Sequence, residues 1–259
     1  MIIVNRMSGI FKANKTNIDR QQRMKHILNV AEDIIHKTKE YKDTHPIFLL
    51  IKALVNIEMY SNIYALISSK DEYRVKEYSF YDILPLDSNQ YGRYIYKNSD
   101  KIIDAYGLMK NSKLKTHDIV IRLGYDSIIT EPWNLDRFTD AISIIAENEE
   151  WKQQKNNHYI ALHLPYGVSF IAVSGNHSIT KGFLANIGNV IPEEVYNVSI
   201  AHDFLYTDGV YYYRKIDNSI YANVNNFNLA VVFEIGSLIC KYAYEKNIRF
   251  HSKIVLDYI

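Results

Sequence analysis

Three of the nine histidines in this 259-residue chain lie within one stretch, residues 156–182. His158 and His163 fall in a predicted strand, 158–164, and His177 follows in the loop Ser174-Gly175-Asn176-His177-Ser178. Imidazole has an ordinary pKa near 6.5, so it can accept or release a proton at neutral pH. We therefore predict a binding or catalytic site here, with His177 as a general acid or base.

The Gly175 loop joins a predicted strand, 168–174, to a helix that we expect over about 178–185. Glycine permits a tight turn at a strand end. The first free N–H groups of the following helix would point out of that turn, where phosphates bind readily. The predicted ligand-binding residues are Gly175, Asn176, Ser178, Thr180, Lys181 in the first turn, His158 and His163. The alternative is a turn without a ligand, in which Asn176 or Ser178 caps the helix.

Other polar groups suggest weaker alternatives. Metal ligands could come from His158, His163, His177, His202, Asp203 and Asp208. However, His158 and His163 are five positions apart on a predicted strand and should face opposite sides, so we predict no metal site. Glu234 lies on an apolar helix, where it must reach solvent or pair with another group, such as Arg137 or Lys181. Walker A, CxxC and nucleophile-elbow motifs are absent from the sequence.

Composition favours a soluble intracellular protein. The formal net charge is +1, which gives no global signal for nucleic acid or an acidic membrane. Residues 1–70 are more basic, with eleven Lys/Arg against six Asp/Glu, so a basic helical face is an open alternative. The single cysteine, Cys240, lies in an apolar helical pattern and fits a reducing cytoplasm. We find no signal peptide and no stretch of eighteen consecutive apolar residues.

Hydrophobic periodicity predicts an α+β protein in two parts, a helical region at 1–112 and a mixed α+β region at 113–259 with a C-terminal helix. In the first part we expect a loose arm at 1–17, a helical hairpin at 18–41 and 47–68, and a helix at 99–110. The aromatic segment between them, with Tyr73, Tyr81 and Tyr91, could stack bases or pack. Residues 113–117 are a predicted linker. Beyond it we expect strands at 118–123, 128–132, 158–164, 168–174 and 194–200, and helices at 138–148, 178–185 and 228–246.

Residues 118–186 resemble the ParB/sulfiredoxin-like fold. Glu131-Pro132-Trp133-Asn134-Leu135-Asp136-Arg137 falls where that family has a Pro/Arg segment leading into a helix. Gly175-Asn176-His177-Ser178 falls at its G-x-[HE]-R box, which opens a later helix. The resemblance implies nucleotide binding at the box, with Arg137 as the upstream basic residue. It covers about a quarter of the chain.

The sequence also departs from that family. Ser178 stands where the box has arginine, and we find no E-N-x-x-R segment of the kind that ParB CTPases carry. Over more of its length the chain is similar to an uncharacterised bacterial family with the same N-N-H and G-N-H-S-I boxes.

Together these patterns predict a nucleotide- or phosphoester-binding enzyme that transfers or hydrolyses phosphoryl groups. His177 and Arg137 would be its catalytic residues. The cofactor is not identified, with Mg²⁺ and Mn²⁺ as candidates. The alternatives are a non-catalytic nucleotide sponge or sensor that uses the same site, and a DNA- or protein-interaction module.

Overall fold

The fold is α+β. A computed structural model describes residues 2–42, 44–68, 78, 80–85, 94–98, 100–115, 119–144, 151–171 and 174–246. The described helices are α1 (Ile2–Lys37), α2 (Ile47–Ser68), α3 (Ala105–Ser112), α4 (Leu135–Ser143), α5 (Asn176–Ala185), α6 (Ala201–Phe204) and α7 (Phe227–Lys246). The described strands are β1 (Tyr94–Lys97), β2 (Ile102–Asp104), β3 (Lys113–Leu114), β4 (Ile121–Arg122), β5 (Ser127–Ile129), β6 (Ile160–Leu164), β7 (Val168–Ile171), β8 (Asn189–Val190), β9 (Glu194–Asn197), β10 (Leu205–Thr207), β11 (Tyr211–Arg214) and β12 (Ile220–Asn223).

The central element is a five-stranded mixed sheet in the order β3-β9-β6-β7-β5. β6 and β7 form an antiparallel hairpin, while β6 runs parallel to β9 and β7 runs parallel to β5. All five residues of β6 are buried, which explains why its sequence is almost continuously apolar rather than alternating. β10, β11 and β12 form a separate antiparallel sheet, and β1 pairs with β2, and β4 with β8.

Helices α1, α2 and α7 pack together beside the sheets. Met24, Ala31 and Ile35 on α1 are buried at helical spacing. The ring of His45 accepts the backbone N–H of Ile47 and so caps the start of α2. The Tyr242 hydroxyl on α7 lies 2.9 Å from His36 Nε2 on α1.

One hydrophobic core includes residues of these helices and of the five-stranded sheet. The region 1–112 and the region 113–259 therefore share buried surface. The Glu58 carboxylate on α2 adds a polar link, because it accepts hydrogen bonds from the side-chain amides of Asn226 and Asn228 at the start of α7, at 2.7 and 2.5 Å.

Two helices are long and apolar enough to cross a membrane by length and composition. They are α2 and residues 227–245 of α7, each with a window of mean hydropathy 1.2. In each window 50% of the residues are buried within the protein, as in a core helix, so this is weak evidence for a span.

Several predicted boundaries are wrong. The arm at 1–17 is helical from Ile2, because α1 is continuous to Lys37. The predicted linker begins with Lys113 and Leu114, which instead form an edge strand paired with Tyr196 and Val195. The predicted helix at 99–110 is divided between β2 and α3, because Asp104 accepts the backbone N–H of Gly107 and caps a helix that begins at Ala105.

Other predictions fall partly outside the described residues. Tyr73, Tyr91 and the strand start at Asp118 are among them, as is the predicted end of α4 beyond residue 144. The helical prediction at 47–68 is confirmed, and that at 228–246 is confirmed to within one residue.

Candidate functional site

The Gly175 loop turns the chain from β7 into α5. Gly175 has φ +101°, a conformation that side chains strongly disfavour. A Cβ atom there would lie 2.6 Å from the Asn157 carbonyl oxygen and 2.7 Å from His158 Cδ2. The Ser174 hydroxyl donates to the same Asn157 carbonyl at 2.7 Å. The loop is therefore held tightly against the segment that precedes β6, and only glycine fits the turn.

Residues 131–137 lie directly against the start of α5. Asn176 Oδ1 accepts the backbone N–H of Glu131 at 2.7 Å, and His177 Nε2 accepts the backbone N–H of Asn134 at 3.2 Å. Asn134 in turn caps α4, because its side-chain oxygen accepts the N–H of Arg137 at 2.9 Å. These bonds bring the N-termini of α4 and α5 side by side.

The start of α5 carries free hydrogen-bond donors. No side chain caps it, because Gly175 occupies the cap position. Within the described parts of the chain, the backbone N–H groups of Asn176, His177 and Ser178 find no acceptor. Unpaired amides and the helix dipole together make such a terminus attractive to anions.

An exposed cationic stack adjoins these amides. Arg137 Cζ lies 5.3 Å from the centre of the Trp133 ring, and the Trp133 and His177 rings meet edge to face at 5.6 Å. Trp133 is 48% exposed. Arg137 makes no ion pair with any described residue. The structure thus brings together His177 and Arg137, the two predicted catalytic residues.

His177 is held as a neutral imidazole. Burial lowers its pKa, and the nearby charge of Arg137 lowers it further. Because Nε2 accepts a backbone N–H, the proton of the neutral ring must reside on Nδ1. Nδ1 has no hydrogen-bond partner among the described residues and is not an enclosed atom. His177 is therefore arranged to donate a hydrogen bond rather than to remove a proton.

Three predicted ligand-binding residues, Thr180, His158 and His163, are buried and cannot contact a ligand. The Thr180 hydroxyl is fully buried; it donates to the Asn176 carbonyl at 2.6 Å and lies 2.7 Å from the Thr130 hydroxyl, from which it accepts. The His158 ring lies beneath Gly175, stacks on Trp151 at 5.1 Å and accepts the N–H of Gln154. These two residues support the loop instead of binding at it.

His163 has no part in the loop. Its ring stacks between Phe80, at 3.8 Å, and Tyr196, at 5.4 Å, and is 3% exposed. Burial lowers its pKa to about 3, so it is a neutral core residue. We therefore exclude His163 from the candidate site.

The remaining predicted ligands, Ser178 and Lys181, are partly exposed. Because α5 begins at Asn176, two residues earlier than predicted, Lys181 lies in the second turn rather than the first. Lys181 makes no ion pair with a described residue.

Sequence reasoning missed Trp151. Its indole N–H donates to the Ser178 carbonyl at 3.0 Å, and its ring covers His158. A Cβ at Gly188 would lie 2.3 Å from the Trp151 ring, so the indole occupies the space that this glycine leaves. A large aromatic residue in the polar segment Glu149-Glu150-Trp151-Lys152 was the available signal.

The alternative sites do not assemble in the described part of the chain. No group of three or more His, Cys, Asp or Glu residues able to hold a metal occurs there. His202 is buried, with Nε2 3.3 Å from the Tyr166 hydroxyl, and Asp208 accepts hydrogen bonds from Gln21 and Tyr213. Glu234 pairs with the backbone N–H of Thr207 at 2.6 Å, not with Arg137 or Lys181.

Comparison with known proteins gives a family but no function. A family of unknown function, DUF6710, matches the chain over residues 10–247. No curated protein and no solved structure matches it.

Proposed function

We propose that this chain, which belongs to the DUF6710 family, binds a nucleotide or another phosphoester at the start of α5 and transfers or hydrolyses its phosphoryl group. The observation that carries the proposal is the set of three unpaired amides at Asn176, His177 and Ser178, together with the Arg137 guanidinium on the Trp133 ring that contacts His177.

The hydrogen-bond donors at the start of α5 and the positive charge of Arg137 complement the negative charge of a phosphate. Backbone amides at a helix start bind phosphate oxygens without a charged side chain, and a guanidinium adds a bidentate, charge-assisted contact. The Nδ1–H group of His177 adds one further donor at the same edge. Arg137 would thereby take over the phosphate contact of the box arginine that Ser178 replaces.

Trp133 gives a reason to favour a nucleotide. Its ring is half exposed beside the proposed phosphate position, and a base can stack on such a surface for roughly 1–3 kcal/mol. The order β5, α4, β6, β7, α5 also agrees with the order that the ParB/sulfiredoxin-like resemblance implies. That resemblance remains a proposal.

The hydrogen bond at His177 supports a second candidate, a non-catalytic sponge or sensor for the same ligand. With Nε2 occupied by the Asn134 N–H, His177 can act as a general base only if this bond breaks. Turnover would then require residues 131–137 to move away from α5, or a metal-bound water as the nucleophile. Mg²⁺ and Mn²⁺ are the ions to test, brought by the nucleotide.

The test is a thermal-shift screen of the whole protein with mono-, di- and cyclic nucleotides, with and without Mg²⁺ or Mn²⁺. Each ligand is then recovered and analysed by chromatography. Any ligand that prefers the native state raises the melting temperature. A changed ligand identifies an enzyme, and an intact ligand identifies a sponge or sensor. No shift across the panel would refute the proposal and favour an interaction module.

Variants locate the site. Arg137→Ala should weaken binding about tenfold or more, because a charge-assisted contact is lost. The matched control is Arg20→Ala, which removes the same charge from α1 and should leave affinity unchanged. His177→Ala should weaken binding in both candidates, but only in an enzyme with a histidine base should it abolish turnover of bound ligand.

A further inference from the structure

A second concave site lies where the β2–α3 corner faces the segment that joins β9 to α6. Its volume is about 380 Å³, within the range of small-molecule sites. None of its lining residues belongs to the Gly175 loop or to residues 131–137. It is therefore independent of the proposed phosphoester site.

The pocket has apolar walls on both sides. Ile103 and Leu108 line it from the β2–α3 corner, and Ile200 and Phe204 line it from the opposite segment. Leu108 is buried, whereas Ile200 is 46% exposed. The floor is thus closed and the rim open, so that an apolar group could enter and lose contact with water.

Two opposite charges also line the pocket without pairing. Lys101 Nζ lies 5.9 Å from the centre of the Phe204 ring. Asp104 uses Oδ1 to cap α3, and no described residue hydrogen-bonds to its other carboxylate oxygen. Neither residue makes an ion pair with the other or with any further described residue.

We propose that this pocket binds a small zwitterion with an apolar body, the chemistry of an apolar α-amino acid. A pure anion would meet repulsion from Asp104, and a pure cation would meet repulsion from Lys101. A ligand that carries both charges at one end satisfies both residues. Its apolar body is then free to lie between Leu108 and Phe204, and the Asn111 amide at the rim offers a neutral hydrogen bond.

Titration calorimetry on the whole protein tests this with probes that differ by one feature. L-leucine and L-phenylalanine carry both charges and an apolar body. N-acetyl-L-leucine lacks the cation, L-leucine amide lacks the anion, and glycine lacks the body. We expect leucine or phenylalanine to bind about tenfold or more tightly than each of the other three.

Substitutions then assign the charges to residues. Lys101→Met keeps a long unbranched side chain without the charge. It should weaken leucine binding about tenfold and strengthen binding of L-leucine amide, because the repulsion of a cation is removed. Asp104→Asn keeps the helix cap, since asparagine caps as well as aspartate. It should weaken leucine binding and strengthen binding of N-acetyl-L-leucine, because the repulsion of an anion is removed. The control is Lys110→Met on α3, which does not line the pocket.

The outcomes are distinct. Absence of binding for the whole panel would overturn the proposal, as would equal binding of leucine and N-acetyl-L-leucine, which would indicate a site for amphipathic anions. An equal loss in Lys110→Met would show that the effect of Lys101→Met is not local. Nucleotide binding at α5 is measured separately, so either proposal can fail without the other.

Discussion

Replacing Glu234 by glutamine should stabilise the protein at alkaline pH and have little effect at acidic pH. The Glu234 side chain projects from α7 and is partly buried. Burial raises its pKa to about 7, although the Thr207 N–H and the charge of Lys215 oppose the shift. The folded state therefore holds this proton to a higher pH than the unfolded chain does. As pH rises from about 4.5 to about 7, folding must overcome the cost of a buried negative charge, so stability falls.

The pKa difference sets the size of the effect. A carboxyl group with a pKa of about 7 when folded and 4.5 when unfolded costs about 3 kcal/mol of unfolding free energy above pH 8. Glutamine keeps the oxygen that accepts the Thr207 N–H and carries no charge. Glu234→Gln should therefore gain about 3 kcal/mol at pH 8, but less than about 1 kcal/mol at pH 5.

Urea unfolding at pH 5 and pH 8 measures this difference, and a gain of that size moves the midpoint by roughly 1 M. Burial lowers the pKa values of His163 and His202 to about 3, so the wild type itself loses stability in acid. The effect of Glu234→Gln is therefore measured as the difference from wild type at each pH. Glu245→Gln, exposed on the same helix, is the control and should change stability by less than about 0.5 kcal/mol. An equal gain at both pH values would refute the raised pKa of Glu234.

Three further substitutions test the support of the Gly175 loop and the core. Gly175→Ala should lower the free energy of unfolding by about 2–4 kcal/mol, because φ is positive there and the new Cβ would meet a backbone carbonyl. Gly107→Ala, where φ is not positive, is the control and should stay within about 1 kcal/mol of wild type. Similar urea midpoints for the two variants would contradict the strained turn. His163→Phe should reduce the stability lost between pH 6.5 and pH 4 by about 3 kcal/mol, because phenylalanine cannot take up the proton that the imidazole binds in the unfolded chain but not in the folded protein. An unchanged acid profile would place the His163 ring in contact with water. Trp151→Ala should cost about 3 kcal/mol by removing the ring that covers His158, and a loss below about 1 kcal/mol would show that the indole does not hold α5.

The sequence was most informative where local pattern decides structure. α2 is apolar around most of its circumference, and its start is fixed by His45 and Pro46, so its limits at Ile47 and Ser68 were predictable. The β6–β7 hairpin and α7 were likewise predictable from short apolar segments and turn residues. The place of the Gly175 loop followed from a glycine between a strand and a helix.

Side-chain roles at the site were less predictable, because contacts between distant segments decide them. Nothing near His163 reveals that Phe80, far earlier in the chain, covers its ring. The tautomer of His177 depends on the Asn134 N–H, which only the docking of α4 on α5 supplies. The sequence predicts a linker at β3 because a two-residue edge strand has no period of its own and exists only through its pairing with β9.

The packing of α1 and α2 on α7 has a consequence for synthesis on the ribosome. The contacts from Gln21 to Asp208, from His36 to Tyr242 and from Glu58 to Asn228 join the earliest helices to segments made last. Translation from the end of α2 at Ser68 to the end of α7 at Lys246 takes roughly 10–35 s at about 5–20 residues per second. Throughout that interval the faces of α1 and α2 that pack on α7 have no native cover, so the nascent chain presents apolar helical surface to chaperones until α7 is made.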